Sequence, residues 1–222
     1  MGFVLTALAA LGVGMLGTGA GLSPWAAAKA LGLVAALVLV AAPALSEHDR
    51  PSLGPANWIT LGRAVVVAGL AALLGEELPI GSALAIAVIG AVAFALDWLD
   101  GQIARRTGWS SPFGARLDME LDALTVLVLC ALAWQLDHAG AWVLWCGALR
   151  YVFVVASWMW PWMAAELPPD PRRRFICGVQ IGSVLLCLLP SPGLASAGIA
   201  AFGTLALTWS FAVDTLWLYR RR

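Results

Sequence analysis

Four aspartates lie close together in a largely apolar chain, and they are the residues best placed to do chemistry. Asp97 and Asp100 are three residues apart, and Asp118 and Asp122 are four apart. On a helix each pair occupies one face about one turn apart, so each predicted helix presents two carboxylates. Carboxylates at a membrane are costly unless a cation neutralises them. The spacing therefore predicts a metal site at a membrane surface, formed where two helix ends face each other.

Oxygen ligands alone select hard cations, and the segment 97–122 contains no histidine or cysteine. We expect two divalent cations, Mg²⁺ or Mn²⁺, because their charge matches that of four carboxylates. Such a site suits phosphoryl transfer, in which cations stabilise the attacking and leaving oxygens. Gly101 leaves room for a ligand beside the helix, and Arg105, one turn later, is placed to pair with phosphate. The alternative is four separate solvated aspartates at helix ends, which accounts poorly for so regular a set.

The elements that position these residues are predicted to be membrane-spanning helices. Of 222 residues, 61% are hydrophobic and 12% are charged, whereas soluble domains carry roughly 25% charged residues. Eight apolar stretches approach the about 20 residues that cross a bilayer; they are 3–22, 27–45, 58–75, 80–99, 117–136, 141–163, 174–190 and 194–218. We predict an all-α, polytopic membrane bundle with six to eight spanning helices, and the lipid bilayer as a partner. The four cysteines fall in these stretches and are expected to be buried, reduced packing residues.

The positions of the arginines predict how the chain is oriented. Arginine clusters at 105–116, 172–174 and 220–222 fall on one side if every apolar stretch spans the membrane. The positive-inside rule makes that side cytoplasmic, so we expect the aspartate site and both termini in the cytoplasm. Lys29, the only lysine, lies near the opposite face and is the exception. Thirteen basic and thirteen acidic residues cancel, so no nucleic-acid partner is expected.

The aspartate segment resembles the signature of the CDP-alcohol phosphotransferase family. Every fixed position of that signature is filled here, by Asp97, Asp100-Gly101, Ala104-Arg105, Gly114, Asp118 and Asp122. Upstream, the segment 55–63 resembles the start of the first core helix in that family. The resemblance covers about residues 52–218 and implies a six-helix core. We therefore expect a family domain at 47–222, preceded by two additional transmembrane helices within 1–46.

The resemblance implies metal-dependent transfer of a phosphatidyl, or other phospho-alcohol, group in phospholipid biosynthesis. The donor is CDP-diacylglycerol or another CDP-alcohol, the acceptor is a small polar alcohol, phosphorylated or not, and CMP is released. Asp97 and Asp118 would bridge the two cations, Asp100 would complete one and Asp122 the other, and Asp122 would also be the catalytic base. The residues expected to contact the donor are Asn57, Trp58, Ile59, Thr60, Gly101, Ala104, Arg105, Ser111 and Gly114. The family also implies a homodimer, and we expect it in the inner membrane of a bacterial cell.

Arginines outside the aspartate segment are candidates for binding the acceptor. The candidates are Arg63, Arg150, Arg172, Arg173 and Arg174. The first two lie within apolar stretches, where a charged residue indicates function, and basic residues on the later helices hold a phosphorylated acceptor in related enzymes. Two alternatives stay open: Arg150 pairs with an acidic residue such as Asp214, and the run 172–174 only follows the positive-inside rule. Glycerol 3-phosphate, inositol phosphate, serine and other small polyols are all candidate acceptors.

Two other classes of protein also hold membrane carboxylates. An aspartate-rich membrane prenyltransferase uses Mg²⁺ to bind a diphosphate, but its two aspartate motifs normally lie far apart in sequence. A non-enzymatic cation transporter would place carboxylates near the midplane or on duplicated halves. Here both aspartate pairs lie within one short segment near one predicted membrane face, and the sequence shows no internal repeat. The enzyme is therefore the favoured interpretation.

Overall fold

The computed structural model describes residues 23–41, 55–79, 81–107, 112–165, 167–168, 170–189 and 193–222. Within these ranges only the backbone is described for 40–41, 55–56, 100–101, 103–107, 112 and 193–194. The predicted apolar stretch 3–22 and the candidate donor residue Ser111 lie outside the described residues. Every regular element in the described ranges is a helix, which confirms the all-α fold class.

Seven α-helices lie in this part of the chain. They are α1 (Pro24–Ala41), α2 (Pro55–Ala72), α3 (Ser82–Thr107), α4 (Pro112–Gln135), α5 (Leu144–Met159), α6 (Pro171–Cys187) and α7 (Gly193–Tyr219). Four of them begin at a proline, whose missing N–H and fixed φ suit the first helical position. Short 3₁₀ turns at Ala141–Val143 and Pro161–Ala164 precede and follow α5, so the predicted stretch 141–163 is not one continuous helix.

The helices that carry the aspartates are longer than the apolar stretches that predicted them. Helix α3 continues to Thr107, and α4 begins at Pro112. Asp97 therefore lies inside α3, and Asp118 and Asp122 lie in the second and third turns of α4. The prediction of two facing helix ends was wrong because hydropathy marks where lipid contact stops, whereas the polar residues after Asp100 include good helix formers.

Three helical segments among the described residues are long and apolar enough to cross a membrane: Ser82–Leu99, Ala141–Met159 and Ala195–Tyr219. The apolar helices Pro24–Leu39 and Asn57–Ala72 are shorter. This agrees with an integral membrane protein. Of the four cysteines, three are buried as predicted, but Cys177 is exposed, since it lies on the outward face of α6.

The chain forms two compact units, each described by itself, with the boundary between Val128 and Leu129. In the first unit, α2 packs against both α1 and α3. Small residues make the α1–α2 contact close, because Ala26, Ala30, Ala68 and Ala72 form a buried cluster there. In the second unit, α6 packs along α7. The predicted division at residues 46 and 47 remains a prediction.

Candidate metal centre

Within the first unit, three helices bring one arginine and three aspartates together. Arg63 comes from α2, Asp97 from α3, and Asp118 and Asp122 from α4. Nη1 of Arg63 donates to Oδ1 of Asp97 at 2.8 Å and to Oδ1 of Asp118 at 2.6 Å. Nη2 of Arg63 donates to Oδ1 of Asp122. We call these three carboxylates, Asp97, Asp118 and Asp122, the aspartate cluster.

The aspartate cluster suits a divalent cation. One oxygen from each of the three carboxylates lies within 4.8 Å of the others. Ligand bonds of roughly 2 Å place the oxygens around Mg²⁺ up to about 4 Å apart, so small side-chain rotations are enough to form a site. The side chains are about one-third exposed, with values of 33% for Asp97, 36% for Asp118 and 37% for Asp122. A ligand can therefore reach the carboxylates from outside the helix bundle.

The remaining predicted ligand, Asp100, and three predicted donor contacts lie on α3. The structure describes the backbone at Asp100, Gly101, Ala104 and Arg105, and the side chains of Asp100, Ala104 and Arg105 lie outside the described part. Gly114 is buried in α4. These assignments remain predictions from the family resemblance.

The predicted donor residues on α2 divide by helix face. Asn57 and Thr60 are buried, Ile59 is half-buried, and Trp58 is 49% exposed. Asn57, Thr60 and Arg63 are each three residues apart, so they follow one face of α2 toward the aspartate cluster.

The sequence of α2 indicates, independently of the aspartate pattern, that Arg63 lies on a buried polar face. Arg63 is fully buried, at 0% exposure, on a helix whose other residues are mostly apolar. A polar residue at every third position of such a helix indicates a buried polar face. That spacing places Arg63 opposite other polar groups rather than lipid.

The arginine run at 172–174 separates into residues with different surroundings in the second unit. Arg172 donates from Nη1 to the carbonyl of Ser210 at 3.0 Å and to its hydroxyl at 2.8 Å, and from Nη2 to Asp214. Its Nε donates to Asp170 at 3.1 Å. Asp170 also caps α6 by accepting from the backbone N–H of Arg172 at 2.8 Å, and this hydrogen bond, followed by that of the guanidinium, lowers the pKa of the Asp170 carboxyl. Arg172 thus ties the start of α6 to α7.

The next two arginines are more accessible. Arg173 lies 3.5 Å from Asp214 and donates to the carbonyl of Pro168. Arg174 is exposed, and no ion pair is found for it within the described ranges. Arg173 and Arg174 line a cavity of about 610 Å³ together with Asp170, Pro171 and Phe175. Asp214, named above as a candidate partner of Arg150, pairs with Arg172 and Arg173.

A family model for CDP-alcohol phosphatidyltransferase matches residues 53–213. The chain belongs to this family. The match includes α2 and the whole aspartate segment, and it confirms the family that the signature predicted. Membership places the chain among transferases of substituted phosphate groups, a family that generally depends on divalent cations, and it favours this class over the prenyltransferase and the transporter.

Curated relatives carry a more specific name. Over 62 residues the chain is 45% identical to a CDP-diacylglycerol–glycerol-3-phosphate 3-phosphatidyltransferase of Pseudomonas fluorescens, covering 28% of this chain and 31% of the relative. Over 111 residues it is 33% identical to proteins of the same name from Yersinia pestis (strain Pestoides F) and Yersinia pseudotuberculosis, covering 49% of this chain and 59% of each relative. The chain thus spans between about a third and three fifths of these relatives' length. No solved structure matches it.

Proposed function

We propose that this protein transfers the phosphatidyl group of CDP-diacylglycerol to the hydroxyl of glycerol 3-phosphate and releases CMP. The observation that carries the proposal is the aspartate cluster, in which carboxylates from two helices meet in a member of this family. The names of the relatives support the choice of donor and acceptor.

The reaction is a substitution at the phosphorus of the phosphatidyl group. The acceptor oxygen forms a bond to that phosphorus, the bond from phosphorus to the CMP oxygen breaks, and CMP leaves. The hydroxyl proton passes to Asp122, the proposed base. Two divalent cations, Mg²⁺ or Mn²⁺, held by Asp97, Asp100, Asp118 and Asp122, would supply neutralisation of the diphosphate charge. The protein's own contribution is to hold donor, acceptor and base in one orientation.

We propose Arg174 as the arginine of the run that binds the acceptor's phosphate. It is exposed and lines an open cavity, whereas the donors of Arg172 are engaged by Asp170, Ser210 and Asp214. A guanidinium already paired in this way would lose those contacts on binding a phosphate. The structure thus supports dividing the predicted run into one structural arginine and one binding arginine. Arg150 remains a predicted acceptor ligand.

The test uses the purified chain in detergent or liposomes with Mg²⁺ or Mn²⁺, labelled CDP-diacylglycerol and a panel of acceptors. The panel contains glycerol 3-phosphate, glycerol, inositol phosphate and serine, and both CMP and the lipid product are measured. We expect product with glycerol 3-phosphate, and a loss of at least about 10²-fold in rate for Asp122→Asn because the base is removed. Glu120→Gln is the matched control, since Glu120 is a carboxylate on the same helix that pairs instead with Arg116 at 3.2 Å. No CMP from any acceptor, or equal loss in both variants, would refute the proposal.

The cellular placement follows from the same proposal. A membrane-embedded phosphatidyl donor and a water-soluble acceptor require a site at the membrane surface. We propose the inner membrane of a bacterial cell, with the aspartate cluster toward the cytoplasm as the arginine clusters predict, and a homodimer as in the family.

A further inference from the structure

Arg63 is positioned differently from the acceptor ligand that its sequence suggested. Its side chain is 1% exposed, whereas the three carboxylates around it are 33–37% exposed. The guanidinium therefore lies on the buried side of the aspartate cluster, and the carboxylates lie between it and the outside. A substrate or cation entering the site meets the carboxylates first.

The geometry points to Arg63 as a built-in counter-ion that assembles the aspartate cluster before any metal ion binds, and that lowers its affinity for metal. This inference rests on the proposed function only in taking the cluster as a divalent-cation site. Three carboxylates this close repel one another strongly without a cation. The guanidinium of Arg63 contacts all three carboxylates: Nη1 donates to Asp97 and Asp118, and Nη2 donates to Asp122. Its planar fork therefore contacts α3 and α4 at once.

The effect on metal binding follows from charge. In the metal-free protein the guanidinium is attracted by three carboxylates. In the metal-loaded protein it also faces the positive charge of the ions, so it stabilises that state less. Arg63 therefore contributes more to the metal-free state than to the loaded state. By linkage, removing Arg63 must increase the amount by which bound metal stabilises the folded protein.

The charge count explains why this arrangement is useful. Three carboxylates with one arginine leave two negative charges, enough for one divalent ion. Adding the predicted ligand Asp100 and a second divalent ion leaves a net positive site. A diphosphate carries negative charge, so a site with a cationic excess attracts the donor once the ions are bound.

The experiment measures thermal unfolding of the detergent-solubilised protein in chelator and in saturating Mn²⁺, together with the Mn²⁺ dissociation constant from a direct titration. For Arg63→Gln we expect a fall of about 10 °C in the chelator, as for loss of one partner of a buried ion pair. In Mn²⁺ we expect a smaller fall in melting temperature, so that Mn²⁺ raises the melting temperature of the variant by more than it raises that of the wild type. We also expect the variant to bind Mn²⁺ about tenfold more tightly. Arg116→Gln is the matched control: it removes an arginine that pairs with Glu120 on α4 outside the cluster, and its metal-induced rise should equal that of the wild type.

Two further variants keep the inference testable if Arg63→Gln does not fold. Arg63→Lys keeps the charge but not the fork, and it should fall between wild type and Arg63→Gln in the chelator. Adding Asp97→Asn to Arg63→Gln removes one of the repelling charges and should restore part of the stability in chelator. Equal losses in chelator and Mn²⁺ would show that Arg63 acts by packing alone, and weaker Mn²⁺ binding would show that it gathers the ligands without competing; either result overturns the inference. The experiment does not measure CMP release, so its result does not depend on whether the protein catalyses the proposed reaction.

Discussion

Gly203 offers a sharp test of the packing that holds the arginine run 172–174 in place. It lies on α7 where that helix meets α6. A Cβ added to Gly203 would lie 2.6 Å from Cβ of Ser183 and 2.7 Å from Oε1 of Gln180. Both neighbours are buried, at 6% and 1% exposure, and the Ser183 hydroxyl is held by a hydrogen bond to the carbonyl of Val179 at 2.8 Å.

The expected cost of Gly203→Ala follows from these distances. Carbon atoms pack at about 3.5–4.0 Å, so α7 must move away from α6 by about 1 Å. Overpacking of this kind costs about 1–3 kcal/mol, and the gain from replacing a helical glycine with alanine offsets about 0.5–1 kcal/mol of it. Gly198 lies on the same helix with nothing within 4 Å of an added Cβ, so Gly198→Ala should show only the gain.

The assay is thermal unfolding of both alanine variants beside the wild type, in the same detergent. We expect Gly203→Ala to melt below Gly198→Ala by about 3–10 °C, at about 2–4 °C per kcal/mol for a chain of this size. Arg172 on α6 contacts Asp214 on α7 and lies two residues before Arg174, the proposed acceptor ligand. The displaced helix should therefore also raise the KM for glycerol 3-phosphate, the proposed acceptor. If Gly203→Ala melts at or above the temperature of Gly198→Ala, then α6 and α7 are not packed this closely and the reasoning fails.

Two further predictions concern charged residues away from the aspartate cluster. The hydrogen bond from Lys29 lowers the pKa of Glu76 from 4.5 to about 2. The stabilisation from ionised Glu76 should therefore be complete above about pH 4.5 and disappear as the pH falls toward 2. The difference in melting temperature between wild type and Glu76→Gln should shrink over that pH range, and a constant difference would contradict the prediction. Arg172→Gln should lower the melting temperature because it leaves the buried carboxylate of Asp214 short of a partner, whereas Arg174→Gln should raise the KM for glycerol 3-phosphate about tenfold with an unchanged melting temperature. The reverse pattern would exchange their roles.

The shared helix face of Asp118 and Asp122 was predictable because that information is local: a spacing of four residues fixes it within α4, whatever the rest of the chain does. The same spacing argument for Asp97 and Asp100 on α3 stays a prediction. The contact of Arg63 with three aspartates was not predictable from that pattern, because it depends on how α2 packs against α3 and α4. Hydropathy also could not locate the end of α3, since a helix continues past the point where its residues stop being apolar.

The three arginines at 172–174 do not share one role. Successive residues on a helix are rotated by about 100°, so Arg172, Arg173 and Arg174 must point in different directions. One ligand therefore cannot engage all three from a single side. The structure agrees, since Arg172 faces α7 through Ser210 and Asp214 while Arg174 is exposed. The charge count supported the predicted orientation, but helical geometry already indicated that the run has more than one role.

Lys29 is the exception to the charge pattern, and its contacts account for it. Its ammonium donates to Oε1 of Glu76 at 2.6 Å and to the carbonyl of Leu74, and Glu76 also accepts from the backbone N–H and hydroxyl of Ser23 at 3.0 and 2.7 Å. One lysine on the opposite side does not outweigh three arginine clusters under the positive-inside rule, and the cytoplasmic orientation of the aspartate site remains a prediction. The same contacts join the start of α1 to the turn after α2. Helix α1 precedes the family match, which begins at residue 53, and it is held against α2 by this polar contact together with the buried alanine cluster.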